Sequence, residues 1–168
     1  VGGSTSITLT KKKETAMKSG VYLAGKMERV SIEAMKGWRQ EAQRYFDEVD
    51  IPVWDPTRRI PIHLQIEGNL EDERKTIDAC RKIFKMDLQD ICKSTVILAD
   101  VRRYKQGEIG IGTSMELMFA HTKNKIIILW ADKKDPIHPF LEAIATEKYY
   151  DLEEAMEATE EYFDDIYG

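Results

Sequence analysis

The chain has 168 residues, 42% of them hydrophobic and 33% charged, with a formal net charge of −5. That length suits one domain and that balance suits a packed core, which argues against wholesale disorder. No apolar run approaches the ~18 residues of a membrane span, and the strongly basic footprint of a nucleic-acid binder is missing.

The charge is uneven. Eight acids and no Lys or Arg lie between Tyr149 and Gly168, so the rest of the chain is net positive and has room for a local site that takes a small anion. Cys80 and Cys92 are the two cysteines. They are too few for a disulfide framework or a zinc ribbon and read as small buried thiols in a reducing compartment. The opening residues Val1-Gly2-Gly3-Ser4 are small and polar, unlike a secretory leader; the expectation is a cytoplasmic protein.

Residues 1–20 read as a flexible arm: Gly2-Gly3-Ser4 is linker-like and Lys11-Lys12-Lys13 prefers water, although Ser6 to Thr10 alternates as an edge strand can. The domain then runs over 21–168. Val21 to Gly25 is a short apolar run ending at Gly, the pattern of a buried strand. From Val30 to Phe46 the residues Ile32, Met35, Trp38, Ala42 and Tyr45 recur at spacings of three and four, so an amphipathic helix is predicted. Ile51 to Trp54 is a second strand, closed by Asp55-Pro56. Residues 55–70, with Pro56, Pro61, Gly68 and Asn69, form a long loop, which in a compact domain is usually functional. Asp72 to Phe84 is helical, and Asp87 to Cys92 a further turn or two. Thr95 to Ala99 is the cleanest strand and ends at Asp100. Val101 to Ile111 is a polar loop, Thr113 to Thr122 a helix, and Lys125 to Trp130 a strand. Pro136 and Pro139 break the next loop. Lys148 to Tyr150 is a short strand, and Asp151 to Tyr167 an acidic helix.

Strands that are apolar throughout and alternate with helices imply a parallel sheet covered on both faces. The predicted fold is α/β: a single doubly wound, Rossmann- or flavodoxin-like domain with five mostly parallel strands. Ligands in such sheets sit beyond the carboxyl ends of the strands. That rule selects Gly25-Lys26-Met27, Asp55-Pro56, Asp100 and Ala131-Asp132.

The most informative stretch is Gly110-Ile111-Gly112-Thr113-Ser114-Met115-Glu116. Its glycines let a backbone approach a ligand, and a helix start offers unpaired N–H groups to an anion. Thr113 to Glu116 also matches a capping box, in which Thr113 caps the helix and Glu116 folds back onto it. Asp87 can be a helix cap and Asp100 a turn residue. Taken together, three acids on one rim suit attack on a sugar's anomeric carbon. One carboxylate attacks while another, kept protonated by its surroundings, protonates the leaving group. That account needs Glu116 to point into an open cleft.

These residues carry a resemblance. Val21-Tyr22-Leu23-Ala24-Gly25-Lys26-Met27 resembles the opening "YLAGPM" strand of the nucleoside 2-deoxyribosyltransferase family, and Gly37-Trp38-Arg39 the "W-R" of its first helix. Asp55-Pro56 matches its second loop. Met86 to Ile91 followed by Ser94 to Asp100 is similar to its "D-l-x-x-I…sD-v-i-l" stretch. Gly112 to Ala120 is similar to "G-T-x-x-E-x-x-x-A", and His138-Pro139-Phe140 with Asp151 to Ala155 fits its closing segment. The likeness runs from Val21 to about Ala158. It implies Glu116 as the nucleophile that forms a glycosyl-enzyme, Asp87 as the acid that protonates the departing base, and Asp100 as a carboxylate that holds the base or orients the pair. It further implies Tyr22, Gly25 and Met27 as a wall of the nucleoside pocket, with Lys26, Asp55, Gly112, Thr113 and Ser114 beside the substrate. The implied reaction is base exchange on 2′-deoxynucleosides in nucleoside salvage, with no cofactor and no metal. The implied partners are a nucleoside or nucleotide and a free nucleobase, in a homo-oligomer whose contacts use the first and last helices.

Lys26 stands where the family usually has Pro, and Arg58, Arg59, Arg102, Arg103 and Lys105 add cations near the strand ends. A nucleoside 5′-monophosphate would want these, so an N-glycosidase of monophosphates is an alternative. A nucleotide-binding module without turnover is another. Trp38 reads as core, and Trp54 and Trp130 as rim packing or base-stacking residues. His63, His121 and His138 are scattered and read as structural or exposed.

Overall fold

The computed structural model describes residues 19–27, 30–59, 73–103 and 109–168. The elements are β1 (Gly20–Gly25), α1 (Ile32–Glu48), β2 (Val53–Trp54), a 3-10 turn (Pro56–Arg59), α2 (Glu73–Lys93), β3 (Ser94–Asp100), α3 (Ile111–Thr122), β4 (Ile126–Trp130), α4 (Pro139–Ile144), β5 (Glu147–Tyr149) and α5 (Leu152–Tyr167). The strands form one sheet in the order β2-β1-β3-β4-β5, and every pairing is parallel. The expected doubly wound α/β domain is therefore what the chain forms, with all of its strands parallel.

The apolar runs explain the layering. Successive strand residues point to opposite faces, so Val21, Leu23, Val96, Leu98 and Ile128 enter one core with Trp38, Ala42 and Phe46 of α1 and Leu152, Ala155 and Phe163 of α5. Their neighbours Tyr22, Ala24, Ile97, Ala99, Ile127 and Leu129 enter a second core with Ile91 of α2, Leu117 and Ala120 of α3 and Leu141 of α4. A large side chain fully buried in either core contributes about 1.5–3 kcal/mol. The strand order reverses between β1 and β3, the switch point of such sheets. There Gly25 and Asp100 stand in register at the carboxyl ends of both strands.

Several elements differ from their sequence expectation. The two predicted helical pieces around Asp87 are one helix of 21 residues, because no Gly or Pro interrupts Glu73 to Lys93. That helix passes straight into β3, with no residue between Lys93 and Ser94. Pro139 begins a helix rather than only breaking a loop: it occupies the first turn, where its missing N–H costs nothing, and the His138 ring accepts from Phe140 N–H at 3.2 Å. The last strand starts at Glu147. Gly20, assigned to the arm, begins β1, while residues 1–18 lie outside the described residues. Cys80 and Cys92 are exposed, since both fall on the outer side of α2; the buried-thiol expectation is corrected. His121 is exposed and His138 is exposed as a helix cap; His63 and Lys105 lie outside the described residues, as does most of the 55–70 loop. No helix among the described residues is long and apolar enough to cross a membrane.

Candidate functional site

The pleat of β1 sends Tyr22 to the α2–α3 side of the sheet. Its hydroxyl donates to Glu116 Oε1 at 3.0 Å. Glu116 can reach it because α3 starts earlier than expected. Gly110 is the N-cap, with no side-chain capping bond, and Ser114 N–H bonds back to Gly110 O at 3.1 Å. Thr113 is thus already inside the helix and Glu116 lies a further turn along, too far in to cap it. The capping-box alternative is overturned. Glu116 does not open into a cleft either, since only 4% of it is exposed.

Asp87 sits in the second half of α2, mid-helix, so it caps nothing; it is 3% exposed. Burial pushes the Glu116 carboxyl up to about 8, and the charge of Asp87 is the next cause. Tyr22, as hydrogen-bond donor, and Arg39, as a cation, pull Glu116 back. Burial likewise lifts Asp87 to about 6, with Arg59 opposing and Asp90 adding to the rise. Two buried carboxyls that repel each other share protons as a unit. Between about pH 6 and pH 8 this pair holds one proton. Burial, then Glu116 and Asp87, keep the Tyr22 phenol well above its usual range, so it stays a donor.

Asp100 belongs to the other side of the rim. The alternation of β3 places it with Val96 and Leu98. It accepts from the Arg102 backbone N–H at 3.1 Å, from Nε at 2.9 Å and from Nη2 at 3.0 Å. The Arg102 guanidinium lies 3.4 Å from the centre of the Trp130 ring and so covers one face of an aromatic that reads in the sequence as rim packing or base stacking. Trp38 meets Trp130 edge-on at 6.1 Å and is core, as expected. Gly25 has a reason to be Gly: a Cβ there would stand 3.0 Å from Trp38, 3.1 Å from Arg39 Nη2 and 3.3 Å from Asp100 Cβ.

Arg39 is the residue that sequence reasoning passed over as a site member. It is fully buried. Its Nη2 donates to Gly25 O at 3.0 Å and its Nη1 to Met35 O at 2.5 Å, which ties α1 to the end of β1. Its Nε is 3.6 Å from Asp55 Oδ1. Burial lowers its pKa, and Asp55 and then Asp100 oppose that. The signal was available: Arg39 stands four residues after Met35, on the apolar stripe of α1. Asp55 in turn accepts from Thr57 N–H and Oγ1, both at 2.8 Å, and so starts the 3-10 turn.

Lys26 is 9% exposed and its side chain lies 3.6 Å from where a Cβ on Gly110 would stand, against the start of α3. Met27 and Ser114 are half-buried, Thr113 is buried, and Gly112 is exposed. Arg58 and Arg59 turn onto Asp90 and Arg102 onto Asp100, so these cations are ion-paired within the chain. The expected convergence of three acids is thus divided. Asp87 and Glu116 meet across Tyr22, whereas Asp100 and Asp55 gather around Arg39. A cavity of about 760 Å³, lined by Arg103, Ser114, Met118, Phe140 and Ile144 among others, lies between α3 and α4; neither acid of the pair lines it. Among the described residues no group of three or more His, Cys, Asp and Glu side chains is arranged to hold a metal.

No protein-family model matches the chain, and no curated protein sequence matches it. Solved structures do. A 2-deoxyribosyltransferase from Bacillus psychrosaccharolyticus has a TM-score of 0.60 at 17% identity, over 82% of this chain and 90% of that one. A CMP N-glycosidase from Clostridium botulinum has a TM-score of 0.51 at 16% identity, over 84% and 99%. A 2-desoxiribosyltransferase from Leishmania mexicana has a TM-score of 0.50 at 17% identity, over 68% and 65%. At these identities the likeness is one of architecture: the chain has the fold of 2-deoxyribosyltransferases and of a CMP N-glycosidase.

Proposed function

We propose that the protein transfers the sugar of 2′-deoxynucleosides between bases through a covalent glycosyl-enzyme on Glu116. One observation carries this reading: two buried carboxyls, Asp87 and Glu116, coupled to each other beside a phenol that donates to one of them. The shared fold supports it. In the reaction substrate entry uncovers Glu116, which is buried in the free protein; its carboxylate attacks C1′, the C1′–N bond breaks, and Asp87 gives its proton to the departing base. A second base then attacks from the vacated side, and Asp87 takes a proton back. The attack needs the pair's one proton on Asp87, and Tyr22 favours that arrangement by donating to the Glu116 oxygen, which stabilises the carboxylate form.

The other expected site residues have supporting places in this scheme. Tyr22, Gly25, Lys26 and Met27 form the β1 side of the nucleoside pocket. Gly112, Thr113 and Ser114 form its α3 side, and Asp55 and Asp100 brace the rim. The scheme uses no cofactor and no metal, and a homo-oligomer is the expected assembly.

Hydrolysis of a nucleoside 5′-monophosphate is the second reading, and the cation that favours it is Lys26, buried against the start of α3. The test is incubation with a deoxynucleoside and a different free base. A new nucleoside is expected, and Glu116→Ala removes it while the fold survives. Free base from a monophosphate, with none from the nucleoside, selects the second reading. Binding without turnover overturns both.

A further inference from the structure

Behind Asp87 lies a second set of charges that the proposed reaction leaves unused. Asp90 stands one turn further along α2 and is fully buried. Its Oδ2 is 2.6 Å from Arg59 Nη1 and 2.7 Å from Arg58 Nη2, and Lys93 Nζ is 3.8 Å from its Oδ1. Arg58 is further fixed by donating to Asp55 O at 2.8 Å. Arg59 faces two ways, because the same Nη1 is 3.6 Å from Asp87 Oδ1. Among the described residues neither Arg59 Nη1 nor Asp87 Oδ1 has a directed hydrogen bond. One guanidinium nitrogen thus stands between two buried carboxyls, against one and just beyond hydrogen-bond reach of the other.

That spacing has a chemical meaning if Asp87 is the acid, and the inference rests on that assignment. A buried carboxyl oxygen without a partner is tolerable while the group is neutral and costly once it is charged. Giving up its proton creates that charge. We propose that Arg59 and Asp90 form a counter-ion switch behind Asp87: Asp90 holds the guanidinium while Asp87 keeps its proton, and Arg59 turns onto Asp87 Oδ1 once the proton has passed to the departing base.

The step balances. The C1′–N bonding pair leaves with the base, which takes the Asp87 proton, and Glu116 loses its charge in bonding to C1′. The negative charge therefore moves from Glu116 to Asp87. Arg59 changes partner and neither gains nor loses a proton. When the second base attacks, Asp87 is reprotonated and Arg59 returns to Asp90. Neither Arg59 nor Asp90 need touch the substrate, so both are positioning residues.

The charged and titratable groups facing Asp87 are Arg58 and Arg59 from the 3-10 turn, Asp90 from α2 itself, Arg39 from α1, Tyr22 from β1 and Glu116 from α3. Arg59 and Asp90 act on Asp87 in opposite senses, which separates a switch from mere packing. The experiment is a carbon-13 NMR titration of the Asp87 carboxyl in the full chain, with the signal assigned by its loss in Asp87→Asn. It is run on the wild type, Asp90→Asn, Arg59→Gln and Arg59→Lys, beside the pH profile of base exchange. Asp90→Asn is expected to move the Asp87 midpoint down by about one pH unit, and Arg59→Gln up by a similar amount. Arg59→Lys restores most of the wild-type value, and it carries the test if Arg59→Gln fails to fold. The alkaline limb of kcat moves with the midpoints. Shifts in the same direction, or none in folded variants, overturn the proposal. A wild type that exchanges no base while the midpoints still move apart overturns the reaction and the switching step with it, and leaves the counter-ion geometry supported.

Discussion

The two sides of the sheet meet the same rim with opposite chemistry. On the α2–α3 side, Tyr22, Asp87 and Glu116 bring two buried acids together beside a phenol, and both carboxyls are raised. On the α1 side, Asp55 and Asp100 are each matched to a guanidinium, Arg39 for one and Arg102 for the other. Buried acids raised by burial and by each other are costly to the fold, whereas acids paired with a guanidinium secure a loop. On the proposed reaction, reactivity belongs to the first group and rigidity to the second.

The sharpest way to break that division is Glu116→Gln. Base exchange should fall on the order of 10⁴-fold or more, as for loss of a nucleophile, in an assay of new nucleoside. The same variant should become less sensitive to alkali. The folded-state pKa of Glu116, about 8, lies above its usual 4.5, so the folded protein holds a proton that the unfolded chain releases. The wild type therefore loses stability as pH rises from about 4.5 through 8, and Glu116→Gln removes that slope; denaturant midpoints at pH 5 and pH 8 check it. Asp87→Asn should cost about 10²–10⁴-fold in exchange, the range of a general acid. A better leaving base should recover part of that loss.

On the other side, Arg39→Met should cost about 3 kcal/mol of stability, because it leaves Asp55 and two backbone carbonyls without their buried partner. A urea melt reads this, and a loss of exchange larger than that of Asp87→Asn, in protein that is still folded, would erase the distinction between the sides. Tyr22→Phe removes the donor that pulls Glu116 down, so the acid limb of the exchange profile should move to higher pH. The rate at neutral pH should drop by about tenfold, and stability by about 1 kcal/mol. Arg102→Ala is the smallest effect. Its pair with Asp100 is partly open to solvent, with the Arg102 side chain 32% exposed, and about 1 kcal/mol or less is expected in the same melt.

The layering was legible because apolar strand runs and helical spacings are local signals. Val21 to Gly25 and Thr95 to Ala99 declared themselves by composition, and the rule about carboxyl ends then selected the rim. Asp100 could be named for the same reason, Glu116 from the glycine-flanked helix start, and Asp87 from its place just before the β3 run together with the family resemblance. Their grouping could not. Asp100 belongs with Arg39 because of strand alternation seen together with the packing of α1, and Glu116 reaches Tyr22 because α3 starts at Ile111 rather than Thr113. A capping box and a mid-helix acid look identical in sequence until the first helical residue is known. Arg39 and Asp90 escaped as site members because each is a charged residue on a helix, the ordinary sign of a solvated face, and only burial reveals otherwise.

The seamless passage from α2 into β3 has a mechanical result. Asp87 is carried by a helix whose last residue is bonded directly to the first residue of a central strand, so no slack separates it from the sheet. It cannot retreat to admit a substrate without dragging Ser94, whose hydroxyl donates to Asp90 O at 2.8 Å. On the proposed reaction, Asp87 is then a fixed wall of the site, and admission of a substrate falls to other parts of the chain.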